Sequence, residues 1–359
     1  MALDSMTSKR GNRNTTMTSS EFPAALRGTL QLYQPKPVAL PYFDTDATLP
    51  HTLVFIPGLT DTLSTLPYLP QLASLAHSYG FSLVQPQLTC NLGGYGQCTL
   101  EGDAQEIAAC VAHLRSTKQK SAGKVVLMGH STGCQDVIAY LLSSSRAAAN
   151  HTKVDGAILQ APVSDREFYE MKRESASPEE RKRMDTELEL ATRLVKEGRG
   201  SSLMPREPVT LPTDLNDPEH PHSDAVDRPG TELDIAGNAS AVLSPAMTAY
   251  RTWSLKAKGG HDDFFSSDLD NSDITNNRPG ARTIGRAVKN LQSSYPKAQL
   301  LALIGEKEQT VDLAPTLDRI ARTDNCLRGE NTQGGQPSSC ESSRDREFAQ
   351  LGRRISVTF

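Results

Sequence analysis

The chain has 359 residues, with 38 Lys and Arg against 42 Asp and Glu, for a formal net charge of -4. That is enough chain for one large α/β domain or two average ones, and its charge gives no basic field for nucleic acid or an acidic membrane. No apolar run reaches the roughly 18 residues of a membrane span, so a soluble, cytoplasmic protein with no nucleic-acid and no membrane partner is expected.

Met1 to Phe22 is rich in Ser, Thr, Asn, Lys and Arg and lacks an apolar h-region. This predicts a disordered segment without a secretory signal, with Met6 or Met17 as alternative starts. The sequons at Asn14, Asn150 and Asn238 then meet no glycosylating compartment. The cysteines, Cys90, Cys98, Cys110, Cys134, Cys326 and Cys340, have no C-x-x-C pairing and are expected as reduced thiols.

From residue 23 strands and helices alternate. Leu53 to Ile56 reads as a buried strand ending at Pro57-Gly58, Gln71 to Tyr79 as a short amphipathic helix, and Phe81 to Val84 as the next strand. Asp103 to Arg115 is a helix with Ile107, Cys110, Val111 and Leu114 on one face. Lys124 to Met128 and Gly156 to Leu159 are strands on either side of a helical stretch, Cys134 to Leu142. This alternation predicts an α/β fold, a mostly parallel sheet with helices on both faces.

Arg166 to Glu197 then carries Glu, Lys and Arg at helical spacing, and Pro205 to Gly230 is rich in Pro and Asp. Residues 166–245 therefore read as an insertion, either a cap over the site or a solvated decoration. The sheet resumes at Ala298 to Ile304, followed by a helix at Leu313 to Arg322, a loop or disordered stretch over 325–346, and a strand-like Ile355 to Phe359. The expected units are 1–22, two parts of one core at 23–165 and 246–359, and the insertion between them.

Gly129-His130-Ser131-Thr132-Gly133 lies between the Lys124 strand and the Cys134 helix. Its three fixed residues recur by chance in roughly one chain in ten of this size, so the strand-turn-helix setting carries the reading as a nucleophile elbow. Ser131 is the expected nucleophile, activated by a neighbouring base. The oxyanion would be held by the Thr132 N–H and by the Leu59 N–H from Pro57-Gly58-Leu59-Thr60, which is otherwise an ordinary Pro-Gly turn. Cys134 is expected to pack behind the elbow as a small hydrophobe.

Chain order places the acid after a late strand, which nominates Glu308, with Asp165 as the fallback. No histidine follows His261. His130, next to Ser131, should project away from the hydroxyl; His220 and His222 fall in the polar insertion; His51, His77, His113 and His151 have no motif around them. None has zinc-ligand spacing, so no metal site is expected.

Ile56 to Asp61, Gly129 to Gly133, Leu159 to Glu167, Met247 to Arg251 and Asp262 to Leu269 together resemble a fungal family of α/β-hydrolases that includes the siderophore esterases acting on fusarinine-type iron chelates. The resemblance runs from about Leu53 to Glu308. It implies an intracellular serine esterase that opens ester links of a hydroxamate siderophore and so releases iron. Ser131 matches the family's elbow serine, and Glu308 matches its acid with an arm one methylene longer than Asp. The family has an acidic residue where His261 stands, and Asp262 and Asp263 are expected to fix a loop or cap a helix.

The family's catalytic histidine lies in a loop after the final core strand, which Ile355 to Phe359 resembles. Three expectations follow from its absence: a truncated or alternatively spliced product, a mis-assigned end, or a base from elsewhere. The leading expectation is a serine esterase with a cap insertion and a small-molecule ester substrate such as a ferric siderophore, without cofactor or metal. The competing one is a hydrolase-fold binding protein or truncated isoform that lacks its base. A lipase acting at membranes is disfavoured by the lack of a long apolar lid helix.

Overall fold

Alternating apolar side chains on short β-rich runs build a sheet that is covered on both faces. The computed structural model describes residues 25–117, 119–143, 153–206 and 246–303, with the backbone of 208–209, 230–233, 239–243 and 354–355. β1 (Thr29–Gln34) and β2 (Leu40–Asp44) precede β3 (His51–Ile56), α1 (Leu69–Ser78) and β4 (Phe81–Pro86). A 3₁₀ turn at Leu92–Gly96 leads to α2 (Leu100–Ser116), β5 (Val125–His130), α3 (Gly133–Ser143) and β6 (Gly156–Gln160). α4 (Asp165–Ser175) and α5 (Pro178–Lys196) follow, with β7 (Pro208–Val209), β8 (Gly230–Leu233) and β9 (Ala239–Leu243). Last come α6 (Ala249–Lys256), α7 (Asn271–Thr275), α8 (Ile284–Ser294), β10 (Leu300–Leu303) and β11 (Arg354–Ile355).

The main sheet has the order β1-β2-β4-β3-β5-β6-β10-β11. Its inner strands, β4, β3, β5, β6 and β10, pair in parallel, and β1, β2 and β11 add antiparallel edges. Successive residues of one strand serve opposite faces. Leu53 and Phe55 pack with Leu69, Ala73 and Ala76 of α1, while Val54 and Ile56 join Ile107, Val111, Ile138 and Leu291 of α2, α3 and α8. Such two-sided burial is what a parallel interior requires.

Among the described residues the insertion opens with two capped helices. Ser164 and Ser177 each accept from the backbone N–H three residues on, and Pro178 occupies the first turn of α5. Ala191 and Leu194 of α5 pack with Met204 and Ala249 in a small core separate from the sheet, so α6 joins this helical layer. β7, β9 and β8 form a second, three-stranded sheet.

The expected terminal strand meets the described backbone only at Ile355, where β11 lies antiparallel on β10. Leu313 to Arg322, Glu308, the three sequons, Cys326 and Cys340 lie outside the described residues. Cys90, Cys98, Cys110 and Cys134 are free thiols. Among the described residues no helix is long and apolar enough to cross a membrane.

Candidate active site

β5 ends at His130 and α3 begins at Gly133, which leaves Ser131 and Thr132 to turn the chain. Ser131 has φ +53°, a left-handed conformation that costs an L-residue roughly 1–2 kcal/mol. The turn is held by its neighbours. The Ser131 N–H donates to the Gln160 carbonyl at 3.0 Å, and the Cys134 N–H donates to the Ser131 carbonyl at 3.0 Å. A Cβ on Gly129 would lie 2.4 Å from the Gly133 carbonyl oxygen, and one on Gly133 would lie 2.4 Å from that of Ile56. Only glycine lets strand, turn and helix approach this closely. Cys134 is buried behind the turn, its thiol directed at the Gly129 and Gln160 carbonyls.

The loop after β3 lies directly on the elbow. A Cβ built on Gly58 would be 3.2 Å from Ser131 Cβ and 3.6 Å from the His130 carbonyl oxygen. Among the described residues the Leu59 and Thr132 N–H groups have no acceptor. Two free backbone donors flanking a half-buried serine are suited to hold a developing oxyanion, a contribution of about 2.7–4 kcal/mol per donor in comparable sites.

His130 does not face the Ser131 hydroxyl through any hydrogen bond. Its Nδ1 meets Gln160 Oε1, which also accepts from the Tyr68 hydroxyl at 2.8 Å, so the carbonyl-type oxygen places the proton on Nδ1. Burial holds this imidazole below its ordinary pKa, and the ring stacks near Phe55. The other described imidazoles are also engaged. His51 Nδ1 accepts from the Lys124 N–H, His77 pairs with Thr45 Oγ1, His113 with the Tyr42 hydroxyl, and His261 Nδ1 with the Tyr250 hydroxyl at 2.6 Å. His151, His220, His222 and Glu308 lie outside the described residues.

A buried polar cluster extends from the first turn of α3. Arg251 of α6 donates from Nη1 to both oxygens of Asp262, at 2.7 and 2.9 Å, and from Nε to the Tyr95 carbonyl at 3.0 Å. Asp165 accepts from Gln135 Nε2 at 2.9 Å. Burial pushes Asp103 and Asp165 up to about 7, against the pull of Arg251, and burial with Asp103 nearby raises Asp136 well above its ordinary value. Cys90, Asp103 and Asp136 place potential ligand atoms within 4.8 Å of one another, but the positive charge there is already supplied by Arg251. Sequence reasoning marked Asp165 as a fallback acid and did not mark Asp103, Asp136 or Arg251 as a group.

Asp262 and Asp263 fix their loop, as expected. Asp263 accepts from Arg166 Nε at 2.9 Å and from the Gly259 N–H at 3.2 Å.

Residues 17–215 and 229–324 match the model of the family described as Protein of unknown function (DUF1749). Esterase AN6793 of Emericella nidulans is 35% identical over 162 residues, 39% of this chain and 43% of that protein. Fusarinine C esterase sidJ of Aspergillus fumigatus is 38% identical over 161 residues, 40% of this chain and 45% of that protein. The chain thus spans less than half the length of these two relatives. The solved structure of the siderophore hydrolase EstB from Aspergillus fumigatus superposes with a TM-score of 0.56 at 27% identity, over 82% of this chain and 83% of that one.

Proposed function

This chain belongs to the DUF1749 family, and we propose that it is a serine esterase of the α/β-hydrolase fold acting on hydroxamate siderophores of the fusarinine type. One observation carries the reading: Ser131 sits at φ +53° between two space-restricted glycines, beside the unengaged Leu59 and Thr132 N–H groups. The names of the esterase and siderophore-hydrolase relatives supply the substrate class.

In this mechanism Ser131 Oγ attacks the ester carbonyl carbon and its proton passes to a general base, which in the family is an imidazole oriented by the carboxylate that Glu308 matches. The carbonyl oxygen becomes an oxyanion and accepts from Leu59 and Thr132. Collapse expels the alcohol, which takes the proton, and water then releases the acid from the acyl-serine. The insertion at 166–245 would cap the site, and cytoplasmic release of iron would follow ester cleavage.

A second reading, a binding protein with the same pocket, is favoured by the engagement of every described imidazole away from Ser131. One experiment separates the two. Purified protein and Ser131→Ala are incubated with a short-chain p-nitrophenyl ester and a ferric fusarinine-type triester, and products are followed by absorbance and mass. Turnover by the wild type alone is the expected result; tight binding of the triester without turnover selects the binding protein.

A further inference from the structure

The loop between β3 and α1 carries Leu59 in a conformation that it would not keep by itself. Thr60, directly after Leu59, has φ +68°, and Ser64 has φ +60°. Left-handed backbone is disfavoured for any residue with a Cβ, and most of all for a β-branched one such as Thr60. Such geometry persists only where its surroundings over-determine it.

Here the surroundings are glutamine side chains at the ends of two strands. Gln85 of β4 accepts the Ser64 N–H on Oε1 at 2.9 Å, and Gln87, just past β4, accepts the Thr62 hydroxyl. Gln160, the last residue of β6, accepts the Tyr68 hydroxyl at 2.8 Å, where the loop enters α1. Burial keeps that phenol protonated, so it remains a donor. β4 and β6 flank the central pair β3 and β5, so the loop is gripped from both sides of the elbow. Gln160 also accepts the Ser131 N–H on its main-chain carbonyl at 3.0 Å. One residue thus ties the nucleophile's backbone and the far end of the Leu59 loop to a common point.

Only the amide oxygens can accept these protons, which fixes how the amides are turned. Gln85 is 2% exposed, and its Nε2 has no partner among the described residues. A buried, unpaired donor is costly, and what this one accompanies is the acceptor for Ser64. Glutamine also brings no charge, whereas an ionised carboxylate here would oppose the oxyanion.

We infer that Gln85 and Gln160 are positioning residues for the oxyanion hole: by holding Ser64 and Tyr68 they keep Thr60 left-handed and the Leu59 N–H set beside Ser131. The inference rests on Ser131 and Leu59 acting as proposed above, and it gives a role to side chains that need touch no reacting atom.

The test follows labelling of Ser131 by a p-nitrophenyl alkylphosphonate, in which Ser131 Oγ bonds phosphorus and nitrophenolate leaves. Intact-protein mass spectrometry gives the limiting rate, the half-saturating concentration and the labelled fraction. Lost folding lowers the fraction; a misplaced donor lowers the rate. Gln85→Met fills similar space without the acceptor, and its limiting rate should fall about tenfold, short of the roughly 10²–10³-fold of a deleted donor, with half-saturation within about twofold of the wild type. Gln85→Glu, whose buried carboxyl stays protonated and still accepts, should recover most of that loss. Tyr68→Phe and Gln160→Met should each slow labelling, and the double variant should be no slower than Gln160→Met alone. Asn290→Leu removes a buried hydrogen bond to the Leu141 carbonyl at α8, and its limiting rate should match the wild type. The positioning role is overturned, with the esterase reading intact, by an unchanged rate in Gln85→Met, by no recovery in Gln85→Glu, by multiplying effects of Tyr68→Phe and Gln160→Met, or by an equal loss in Asn290→Leu. If wild-type Ser131 does not label at all, the nucleophile reading falls and takes the inference with it.

Discussion

At the residue scale, the elbow is constrained by space more than by chemistry. Gly133 meets the backbone oxygens of Ile56 and Pro57 at 2.4 and 2.5 Å from its would-be Cβ, and backbone cannot move aside as a flexible side chain can. Gly133→Ala should therefore cost about 1–3 kcal/mol and push the Leu59 donor away from Ser131, measured as a lower urea midpoint together with weaker esterase activity. Gly93→Ala is the contrast, because nothing lies within 4 Å of the added Cβ, and its midpoint should stay within roughly 0.5 kcal/mol of the wild type. Equal losses in both would remove the close-approach argument. These constraints were legible because the glycines and the serine are contiguous in sequence. Glu308 stays a proposal that rests on chain order and family resemblance.

At the element scale, β3 to β6 and α1 to α3 follow the hydrophobic spacing closely, and the strands and helices at the margins do not. β1 exposes Leu30 and Leu32 and buries Tyr33, so its pattern is that of an edge strand and carries no clean alternation. α8 has the helical repeat Ile284, Ala287, Val288 and Leu291 behind a Thr283 cap; it was readable by the same rule and is absent from the expectations. The union of α4 with the 263–268 segment could not be read at all, because its partners are about a hundred residues apart. Arg166, 2% exposed, donates to Asp263, whose side chain is 1% exposed, and also to Asp268 and Glu170. Removing the guanidinium leaves a buried carboxylate without a counter-charge, so Arg166→Met should lose about 3–5 kcal/mol. Glu170 is 47% exposed, and Glu170→Ala should cost less than about 1 kcal/mol. Chemical denaturation of the two variants checks the ranking, and similar costs would place the strength of the junction outside the buried pair.

At the scale of the whole molecule, the parallel sheet was legible from alternating strands and helices, whereas the polar cluster beneath its C-terminal edge was not. Asp103, Asp136, Asp165, Arg251 and Asp262 are spread over five segments, and each reads alone as an ordinary charged residue. Their convergence gives stability a definite pH dependence. Asp165 is raised from the ordinary 3.8 to about 7, mainly by burial, with Asp262 adding and Arg251 opposing. The folded chain thus holds this proton more tightly than the unfolded chain does. The resulting stabilisation is fully present below the unfolded value and is lost as pH rises toward about 7, a change on the order of a few kcal/mol. Asp103 runs the same way, and the two titrate as members of one cluster. His113, His130 and His261 run in the opposite sense, because burial lowers their pKa values and their contribution is lost as pH falls below 6.5. The wild-type curve mixes both, so the variant must isolate the carboxyl. Asp165→Asn is neutral at every pH and keeps an acceptor for Gln135. Its Tm relative to the wild type should therefore improve by several degrees between pH 5.5 and pH 8, whatever its absolute stability. A difference that stays constant across that window would mean that Asp165 is ionised throughout, with Arg251 offsetting its burial.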